Sequence, residues 1–554
     1  MNYRKIIKWF LISIYSLIAT LGMLLLIFAA VYHRYGFYAS GGQLSKNQAQ
    51  YDVIYYQLNL EVNFDKKSIA GYTRVLLKPL AGGLNHIEMD LIDNYKVSRV
   101  LLDKENAVSY NHQNDKIFIE LNGNPLSGSL LDLKIFYHGQ PPIAIKPPWI
   151  GGFNWSKDSL GNDWVGLSCQ GEGAKIWFPC KDHQSDKPDS ASINITVPDD
   201  YFCASNGSLR KVTTLRKGFK TYQWFTQYPI SNYNVNVSIG KYEQVENQYV
   251  TEQRKRMPVT YYVLPYHMDE ADRLVNMAID MLQTYRKFYG EYPFVKEKFG
   301  LVDTDYLGME HQTINAYGNN FDFTTIDGFE FDNLMLHEMG HEWWGNKVTA
   351  KDLADMWIQE GICTYGEALY LQDKLGEPAY HEKMEKIRNI IKNKIPVIVK
   401  RNANSHESYH PDIYYKGAYL MHSLRYIMGD PTFFKTLKEF ATSPKYTYSN
   451  LVNTDDFIEL VVQRTNSDIG KFVEYFLYTI KLPEVFIEQV SDQHYQVSIP
   501  NIDFQLPMNV QTESESKTIL LGETPVNIIS ASQPVVDEKN WYLKNIRVEN
   551  ITAD

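Results

Sequence analysis

The sequence predicts an α+β protein of several domains, because three patterns of apolar residues follow one another along the chain. From about residue 51, apolar and polar residues alternate in short runs, as in 55–62, which is typical of β-strands with one buried face. From about residue 268 apolar residues recur every three or four positions, which is typical of helices, and beyond Pro483 the alternation returns. A chain of 554 residues is also too long for a single hydrophobic core.

These changes of pattern divide the chain into six segments. The expected segments are a cytoplasmic tail at 1–8, a transmembrane anchor at 9–31, a linker at 32–50, a β-rich N-terminal domain at 51–240, a mainly helical domain at 241–482 and a small C-terminal β-sandwich at 483–554. Within the linker, the polar, glycine-containing stretch 38–50 predicts a flexible tether.

The anchor is predicted from one uncharged stretch. No charged side chain occurs in 9–31, and about 20 helical residues span a hydrocarbon core of about 30 Å. Three basic residues precede the stretch and only Arg34 follows closely, so the positive-inside rule predicts a single-pass protein with a cytoplasmic N-terminus. The remainder would lie outside, periplasmic or extracellular. A cleaved signal peptide is the alternative, but its apolar region is usually about 7–15 residues long.

The composition excludes several classes of protein. A hydrophobic share of 44% argues against disorder, and a net charge of −10 gives no basic face for a nucleic acid, so no nucleic-acid partner is expected. Four cysteines are too few for a disulfide scaffold. Their pairing cannot be deduced from the sequence, although a location outside the cytoplasm would permit a bridge.

A metal site is predicted in the helical region, where residues 337–341 read HEMGH. On a helix this spacing puts His337 and His341 on one face, one turn apart, where both imidazoles can bind one cation. Catalytic zinc takes three protein ligands and leaves a position for water. Glu360, nineteen positions after His341 in a second helical pattern, can supply the third. HExxH alone also arises by chance, and the downstream glutamate favours zinc.

Glu338 has a different predicted role, because it lies beside a ligand on the same helix and can reach a metal-activated water without binding the metal. Zinc lowers the pKa of water from about 15.7 to about 7, and a nearby carboxylate can take its proton as the water attacks a carbonyl. This arrangement predicts hydrolytic chemistry.

The stretch HEMGHEWWGNKVTAKDLADMWIQEGICTY resembles the signature of peptidase family M1, the gluzincin aminopeptidases, in which HExxH is followed after 18 residues by a glutamate. The resemblance implies that His337, His341 and Glu360 bind one zinc ion and that Glu338 is the general base. It also implies a thermolysin-like helical catalytic domain, and peptides with a free N-terminus as substrates.

Two further stretches are similar to motifs of the same family. Gln170, nine positions before the proline of FPC, matches a glutamine that helps to hold the substrate's α-amino group. Gly308-Met309-Glu310-His311 is similar to GxMEN, whose glutamate pairs with the α-ammonium group through a charge-assisted bond. The family usually has asparagine in place of His311, which puts backbone contacts to the peptide in doubt. Without the zinc motif, a buried turn at Gln170 and a surface carboxylate at Glu310 would be the preferred interpretations.

A final resemblance concerns the stretch Ile413–Ala418, which is similar to the family's YxKG and aligns Tyr414 with the tyrosine that meets the oxyanion. Such a donor contributes about 2.7–4 kcal/mol where one has been removed in another enzyme. Tyr415 is the alternative candidate for this role. Because the chain contains 40 tyrosines, a packing role is the first expectation for Tyr414 and Tyr415 alike.

The sequence therefore predicts a membrane-anchored, zinc-dependent aminopeptidase. Three alternatives remain open. A zinc endopeptidase would use the same centre but would not need Gln170 and Glu310 as amine anchors, that is, as residues that hold the substrate's α-amino group. An epoxide hydrolase, found in one branch of the family, needs additional groups that are not identifiable here. A catalytically silent peptide-binding protein would not need the intact set of metal and acid-base residues.

Overall fold

The structure, a computed structural model, describes residues 3–35, 38–103, 106–121 and 123–549. Helix α1 spans Tyr3–Tyr35. Among the residues described, no helix combines the length and the apolar character needed to cross a membrane, so the anchor expected at 9–31 is not supported. The side chains at 10 and 26–31 of that stretch, and residues 1 and 2 of the expected tail, lie outside the described residues.

The β-rich character of the N-terminal domain is confirmed. Its strands are β1 Tyr51–Asn63, β2 Ser68–Pro79, β3 His86–Asp90, β4 Tyr95–Leu102, β5 Asn106–Ala107, β6 Tyr110–Gln113, β7 Lys116–Glu120, β8 Leu131–Gly139, β9 Gly152–Lys157, β10 Asp163–Ser168, β11 Ser190–Pro198, β12 Phe202–Ser205, β13 Ser208–Arg216, β14 Phe219–Thr226 and β15 Val237–Gly240. The alternation seen in the sequence corresponds to one buried face, as Leu58, Leu60 and Val62 on β1 show.

These strands form three sheets. The eight-stranded sheet has the order β13-β14-β11-β1-β2-β8-β4-β5, the four-stranded sheet β12-β15-β10-β9 and the three-stranded sheet β3-β7-β6. In the largest sheet β1 pairs in parallel with β11, and the other neighbours are antiparallel. Strand β10 ends at Ser168, and the turn that follows it carries Gln170 to the boundary with the helical domain.

The helical domain begins with a five-stranded sheet in the order β16-β17-β18-β20-β19, followed by a hairpin of β21 and β22. These strands are β16 Glu243–Val250, β17 Arg256–Val263, β18 Phe299–Asp303, β19 Gly308–Met309, β20 Asn315–Tyr317, β21 Thr324–Ile326 and β22 Phe329–Phe331. The helices are α2 Met268–Tyr289, α3 Asn333–Gly340, α4 Trp357–Leu375, α5 Glu377–Ile390, α6 Ser405–Ser408, α7 Tyr415–Met428, α8 Asp430–Thr442, α9 Thr454–Arg464 and α10 Ser467–Tyr478.

Helix α4 lies at the centre of this domain, since every residue from Trp357 to Leu371 is buried. It packs against α3, α5 and α7. Its approach to α7 is close because two glycines face each other, and a Cβ added to Gly361 would lie 2.8 Å from the Cα of Gly417. This contact brings the start of α7 beside the helix that carries Glu360.

Beyond Pro483 the chain forms two small sheets, in the orders β27-β24-β23-β29 and β26-β25-β28. Their strands are β23 Glu484–Ser491, β24 His494–Ser498, β25 Leu506–Gln511, β26 Ser516–Leu521, β27 Val526–Ile529, β28 Val535–Val536 and β29 Asn545–Glu549. Their buried residues, such as Val485 and Met508, continue the core of the helical domain. All four cysteines of the chain are buried free thiols.

The stretch 38–50 differs from the flexible tether that its composition predicted. Tyr38, Ser40, Asn47 and Gln48 are buried, and residues 48–50 form a 3₁₀ turn. Backbone N–H and C=O groups of this stretch form hydrogen bonds with other segments of the protein. These groups therefore do not need water as their partner. Residues 36 and 37 of the expected linker lie outside the described residues.

Candidate metal centre

The structure brings the three predicted metal ligands together. Helix α3 begins at the cap residue Asp332, whose side chain accepts a hydrogen bond from the backbone N–H of Met335, and ends at Gly340 with His341 still in helical conformation. The Nε2 atoms of His337 and His341 are 3.2 Å apart. The Oε2 atom of Glu360, in the first turn of α4, is 3.5 Å from the Nε2 of His337 and 3.2 Å from that of His341.

These distances fit a zinc ion. Zinc bonds of about 2.0–2.1 Å in a tetrahedron place the ligand atoms about 3.3 Å from one another. The donor set of two imidazoles and one carboxylate is also one that catalytic zinc uses. Although burial alone would raise it, the neighbouring His341 and His337 hold the pKa of Glu360 at about 2, so the carboxylate is available as an anionic ligand.

The other nitrogen of each imidazole has its own acceptor. The Nδ1–H of His337 donates to the Oε1 of Glu367 over 2.9 Å, and that of His341 donates to the carbonyl of Trp344 over 2.9 Å. Glu367 is in turn paired with Lys383, whose Nζ is 2.6 Å from Oε2. These bonds fix the tautomer and leave both Nε2 atoms free for a metal.

Glu367 was not identified from the sequence. Its position seven residues after Glu360 places it two turns further along the same face of α4, which is the signal that could have found it.

Glu338 lies against the metal ligands and is almost fully buried. Burial raises its pKa to about 7, against the lowering effect of the two histidines. Its carboxylate rests on Gly308, where an added Cβ would lie 2.7 Å from Oε1. The glycine of the β19 motif therefore makes room for this carboxylate.

Gln170 and Glu310 come from different domains and meet beside the metal ligands. The amide Nε2 of Gln170 donates to Glu310 Oε1 over 2.6 Å and lies 3.4 Å from Glu360 Oε1. The hydroxyl of Tyr233, which sequence reasoning did not identify, donates to the same Glu310 oxygen over 3.0 Å. Because the Gln170 amide N–H groups are directed to carboxylates, its Oε1 is left as the acceptor for a cationic donor.

Tyr414 lies at the metal centre, with its ring stacked on that of His337 at a centroid distance of 6.0 Å. Its hydroxyl is 2.7 Å from the hydroxyl of Tyr409, another residue not identified from the sequence. Burial, followed by the charge of Glu360, raises the pKa of Tyr414 well above its ordinary value, so this phenol remains a proton donor. Tyr415 also lines the cavity.

His311 is the one predicted site residue whose side chain is placed elsewhere. Its ring is fully buried, and its Nε2 is 3.1 Å from the amide Nδ2 of Asn236. Burial lowers its pKa to about 3, so the ring is neutral. Gly308 and Met309, by contrast, form the edge strand β19 at the cavity wall, paired with β20.

One cavity of about 650 Å³ contains these groups. Its lining includes Gln170, Gly308, Met309, Glu310, His337, Glu338, His341, Glu360 and Tyr414, and also Pro148, Trp149, Ile150, Gly171, Glu172, Leu307, Leu334, Leu353, Met356, Ser405, His406, Tyr409, Pro411 and Tyr415. The predicted ligands, acid-base group and amine anchors therefore face a common space of a size suited to a small ligand or the end of a chain.

Comparison with known proteins identifies two matching regions. Residues 273–476 match the family model described as peptidase family M1 domain, and residues 52–234 match that of the peptidase M1 N-terminal domain.

Curated relatives are considerably longer than this chain. Aminopeptidase 2 of Candida albicans is 21% identical over 492 residues, which cover 84% of this chain and 51% of that protein. Endoplasmic reticulum aminopeptidase 1 of Homo sapiens is 24% identical over 298 residues, which cover 51% of this chain and 31% of that protein. The chain thus spans about half, or less, of the length of these relatives.

Solved structures are similar over almost their own whole length and over about four fifths of this chain. The M1 zinc metallopeptidase from Deinococcus radiodurans is 21% identical with a TM-score of 0.65, over 80% of this chain and 96% of that one. A mutant of the same enzyme bound to a Tyr-Ser-Ala substrate gives a TM-score of 0.65 over 79% of this chain and 96% of that one. At this identity the likeness establishes a shared fold.

Proposed function

This chain belongs to peptidase family M1, and on that premise we propose that it is a zinc-dependent aminopeptidase that removes the N-terminal residue from peptides. The observation that carries the proposal is the position of Gln170 and Glu310 beside the metal ligands. The Gln170 amide is 2.6 Å from Glu310 and 3.4 Å from Glu360, so a group that binds an amine adjoins the metal centre.

His337, His341 and Glu360 would hold the zinc. When bound, zinc supplies a Lewis acid that polarises a carbonyl and lowers the pKa of a water molecule to about 7. Glu367 orients His337 for this task, and the carbonyl of Trp344 orients His341.

Glu338 would accept the proton from the attacking water and pass it to the departing amine. Its pKa of about 7 suits both steps, because a group that titrates near the working pH can take up a proton and release it. The surrounding burial keeps bulk water from competing for that proton.

Glu310 and Gln170 would hold the free α-ammonium group of the peptide. Burial raises the pKa of the Glu310 carboxyl, and an ammonium group beside it favours the ionised form. A charge-assisted bond of this type is about twice as strong as a neutral one. Since the amine site adjoins the metal ligands, only one residue fits between the amine and the carbonyl that is attacked, which favours an aminopeptidase over an endopeptidase.

Tyr414 would donate a hydrogen bond to the oxygen on which charge develops. Its raised pKa keeps the proton on the phenol, and its stacking on His337 holds it at the metal side of the cavity. Tyr415 lines the same cavity without a ring contact to the metal ligands in the part of the chain that the structure describes, which favours Tyr414 for this role.

The test compares two substrates with the purified full-length chain: alanyl-aminomethylcoumarin and its N-acetylated form. The proposal expects release of the fluorophore from the free-amine substrate alone, and loss of that release in Glu338→Gln. Cleavage of both substrates would favour an endopeptidase. Cleavage of neither, across several N-terminal side chains, would favour a peptide-binding protein without catalytic activity.

The location of the catalytic domain outside the cytoplasm is a separate proposal that rests on the sequence. It is supported by the uncharged stretch 9–31 with its preceding basic residues, and by the exposure of apolar side chains in α1 such as Trp9, Tyr15 and Leu17. Protease added to sealed vesicles from expressing cells tests it. With vesicles in the orientation of the cell, digestion of the catalytic domain is expected, and protection of that domain would reject the proposal.

A further inference from the structure

Residues 38–42, which we call the strap, connect two parts of the cavity wall that belong to different domains. On one side is the loop 169–173, which follows β10 and carries Gln170. On the other side is the segment 403–405, which leads into α6. The strap runs between them, although of the residues that the structure describes none from 38 to 42 lines the cavity itself.

The strap is bonded to the loop 169–173 and to the charged groups beneath it. The N–H of Ser40 donates to the carbonyl of Gly171 over 2.9 Å. The ammonium group of Lys175 donates to the carbonyl of Ala39 over 2.5 Å and is 3.0 Å from a carboxylate oxygen of Asp182. Because Gly171 directly follows Gln170, the strap holds the loop next to the amine anchor.

The strap is also bonded to the segment that leads into α6. The N–H of Ser405 donates to the carbonyl of Ser40 over 3.0 Å, and the N–H of Gly42 donates to that of Ala403 over 3.1 Å. The hydroxyl of Ser405 reaches across and donates to Gly171 over 2.5 Å. The strap therefore forms a short antiparallel β-bridge with this segment, in which Gly41 lies opposite Asn404.

The segment that leads into α6 is fixed relative to the metal centre. Asn404 and Glu407 form a capping box that stabilises the helix, and the residue after it, Tyr409, is hydrogen-bonded to Tyr414. Tyr414 in turn stacks on the ligand His337. The loop with Gln170 is thus held at a set distance from groups that are themselves anchored to the metal ligands.

At Gly41 the strap packs closely against the side chain of Leu353. This residue has a φ of +76°, a conformation that favours glycine, and an added Cβ would lie 2.6 Å from Cδ1 of Leu353. Leu353 lines the cavity and is buried. A side chain at position 41 would therefore move the strap, the cavity wall or both.

We propose that the strap is a positioning element of the substrate site, which fixes the loop carrying Gln170 against α6 and so sets the position of the amine anchor relative to the metal centre. None of its residues is a catalytic residue. The expected change in KM rests on the proposed aminopeptidase function. The fixing of the loop that carries Gln170 rests only on the hydrogen bonds of the strap.

The test uses the full-length chain with Gly41→Ala, and Gly128→Ala as the matched control. Gly128 has a nearly identical φ of +73°, but an added Cβ there would meet nothing within 4 Å. Both variants place alanine at a similar positive φ, and only the first introduces a close contact, with Leu353 of the cavity wall. Ser405→Ala is the second test variant, because it removes the hydroxyl that accepts from the N–H of Ser40 in the strap over 3.3 Å and donates to Gly171, and it places no residue at a positive φ.

For both test variants the KM for alanyl-aminomethylcoumarin is expected to rise about three- to tenfold, the size of effect that the loss of one or two neutral hydrogen bonds produces. The kcat is expected to change less than about twofold, since Glu338 and the metal ligands are not touched. A KM equal to that of the parent and of Gly128→Ala, or a loss confined to kcat, would overturn the proposal.

Amide hydrogen exchange provides a readout that does not depend on catalysis. Exchange in 169–173 is expected to be faster in Gly41→Ala and Ser405→Ala than in the parent or in Gly128→Ala. If the parent chain cleaves no free-amine substrate, the proposed function has failed, and the strap is judged by exchange alone. Unchanged exchange in both test variants would then overturn the inference.

Discussion

Replacement of Glu367 by glutamine tests whether the metal centre depends on the group behind its first histidine. Glu367 accepts a hydrogen bond from His337 over 2.9 Å and pairs with Lys383 over 2.6 Å. Glutamine keeps the shape of the side chain but loses its charge, which weakens the bond to the imidazole and leaves Lys383 without its partner. We expect zinc affinity to fall by about 10- to 100-fold, which corresponds to about 1.4–2.7 kcal/mol.

The assay is competition for zinc between the purified full-length chain and a chromophoric chelator at neutral pH. Although burial alone would raise it, Lys383 and His337 hold the pKa of Glu367 at about 2, so the wild-type group is ionised under these conditions. Glu385→Gln is the matched control, because it breaks an ion pair of 2.5 Å with Arg388 elsewhere on the surface. Equal zinc affinity in Glu367→Gln and in the control would refute the argument that this carboxylate orients His337.

Three further predictions concern the groups around the metal. Glu310→Gln should lower kcat/KM for free-amine substrates by roughly 10- to 100-fold, since hydrogen bonds to charged groups contribute about 1.5–3 kcal/mol, and a kcat/KM equal to that of the parent would contradict the amine assignment. Tyr414→Phe should lower kcat by about 10²–10³-fold with little change in KM, whereas Tyr415→Phe should leave both near the parent values, and the reverse ranking would exchange their roles. Glu338 must be deprotonated to accept a proton, so kcat should fall as the pH drops through about 7, and a profile flat from pH 8 to about 5 would contradict its role as base.

The three candidate metal ligands could be grouped from the sequence because the arrangement of two of them depends on local geometry. The spacing of His337 and His341 fixes their common face once the segment is helical, and α3 is helical over that spacing. Glu360 needed one tertiary step, the packing of α4 on α3, which the second helical pattern allowed and the resemblance supported. The structure therefore adds the distances between His337, His341 and Glu360, which the sequence had already grouped.

The partners of these residues could not be predicted in the same way. Tyr233 reaches Glu310 from the N-terminal domain, 77 positions away along the chain, and no local pattern indicates such a contact. Tyr409 is close in sequence to Tyr414, but hydroxyl groups five residues apart meet only because the chain turns between α6 and α7. His311 occupies a motif position that indicated substrate contact, yet its ring fills a buried space beside Asn236.

The stretch 38–50 shows why composition is a weak guide to flexibility. Glycine and polar residues predict a tether because they leave the backbone free to solvate. In the structure the same freedom allows Gly41 to adopt a positive φ and the neighbouring backbone groups to bond with two domains. The outcome depends on whether a surface with matching donors and acceptors is nearby, which local sequence does not contain.

The electrostatics of the centre explain how three neighbouring carboxylates can serve different purposes. Glu360 is held at a pKa of about 2 by the two histidines, so it is an anion across the working range and suits a ligand. At Glu338 burial outweighs the lowering effect of the charges of His337 and His341, and it raises the pKa of this carboxyl to about 7, where it can exchange a proton. Neighbouring groups whose pKa values are pushed apart in this way divide into those that hold charge and those that move protons. Glu310 is buried with Gln170 and Tyr233 as neutral hydrogen-bond donors, an environment that suits the binding of a cation in the proposed function.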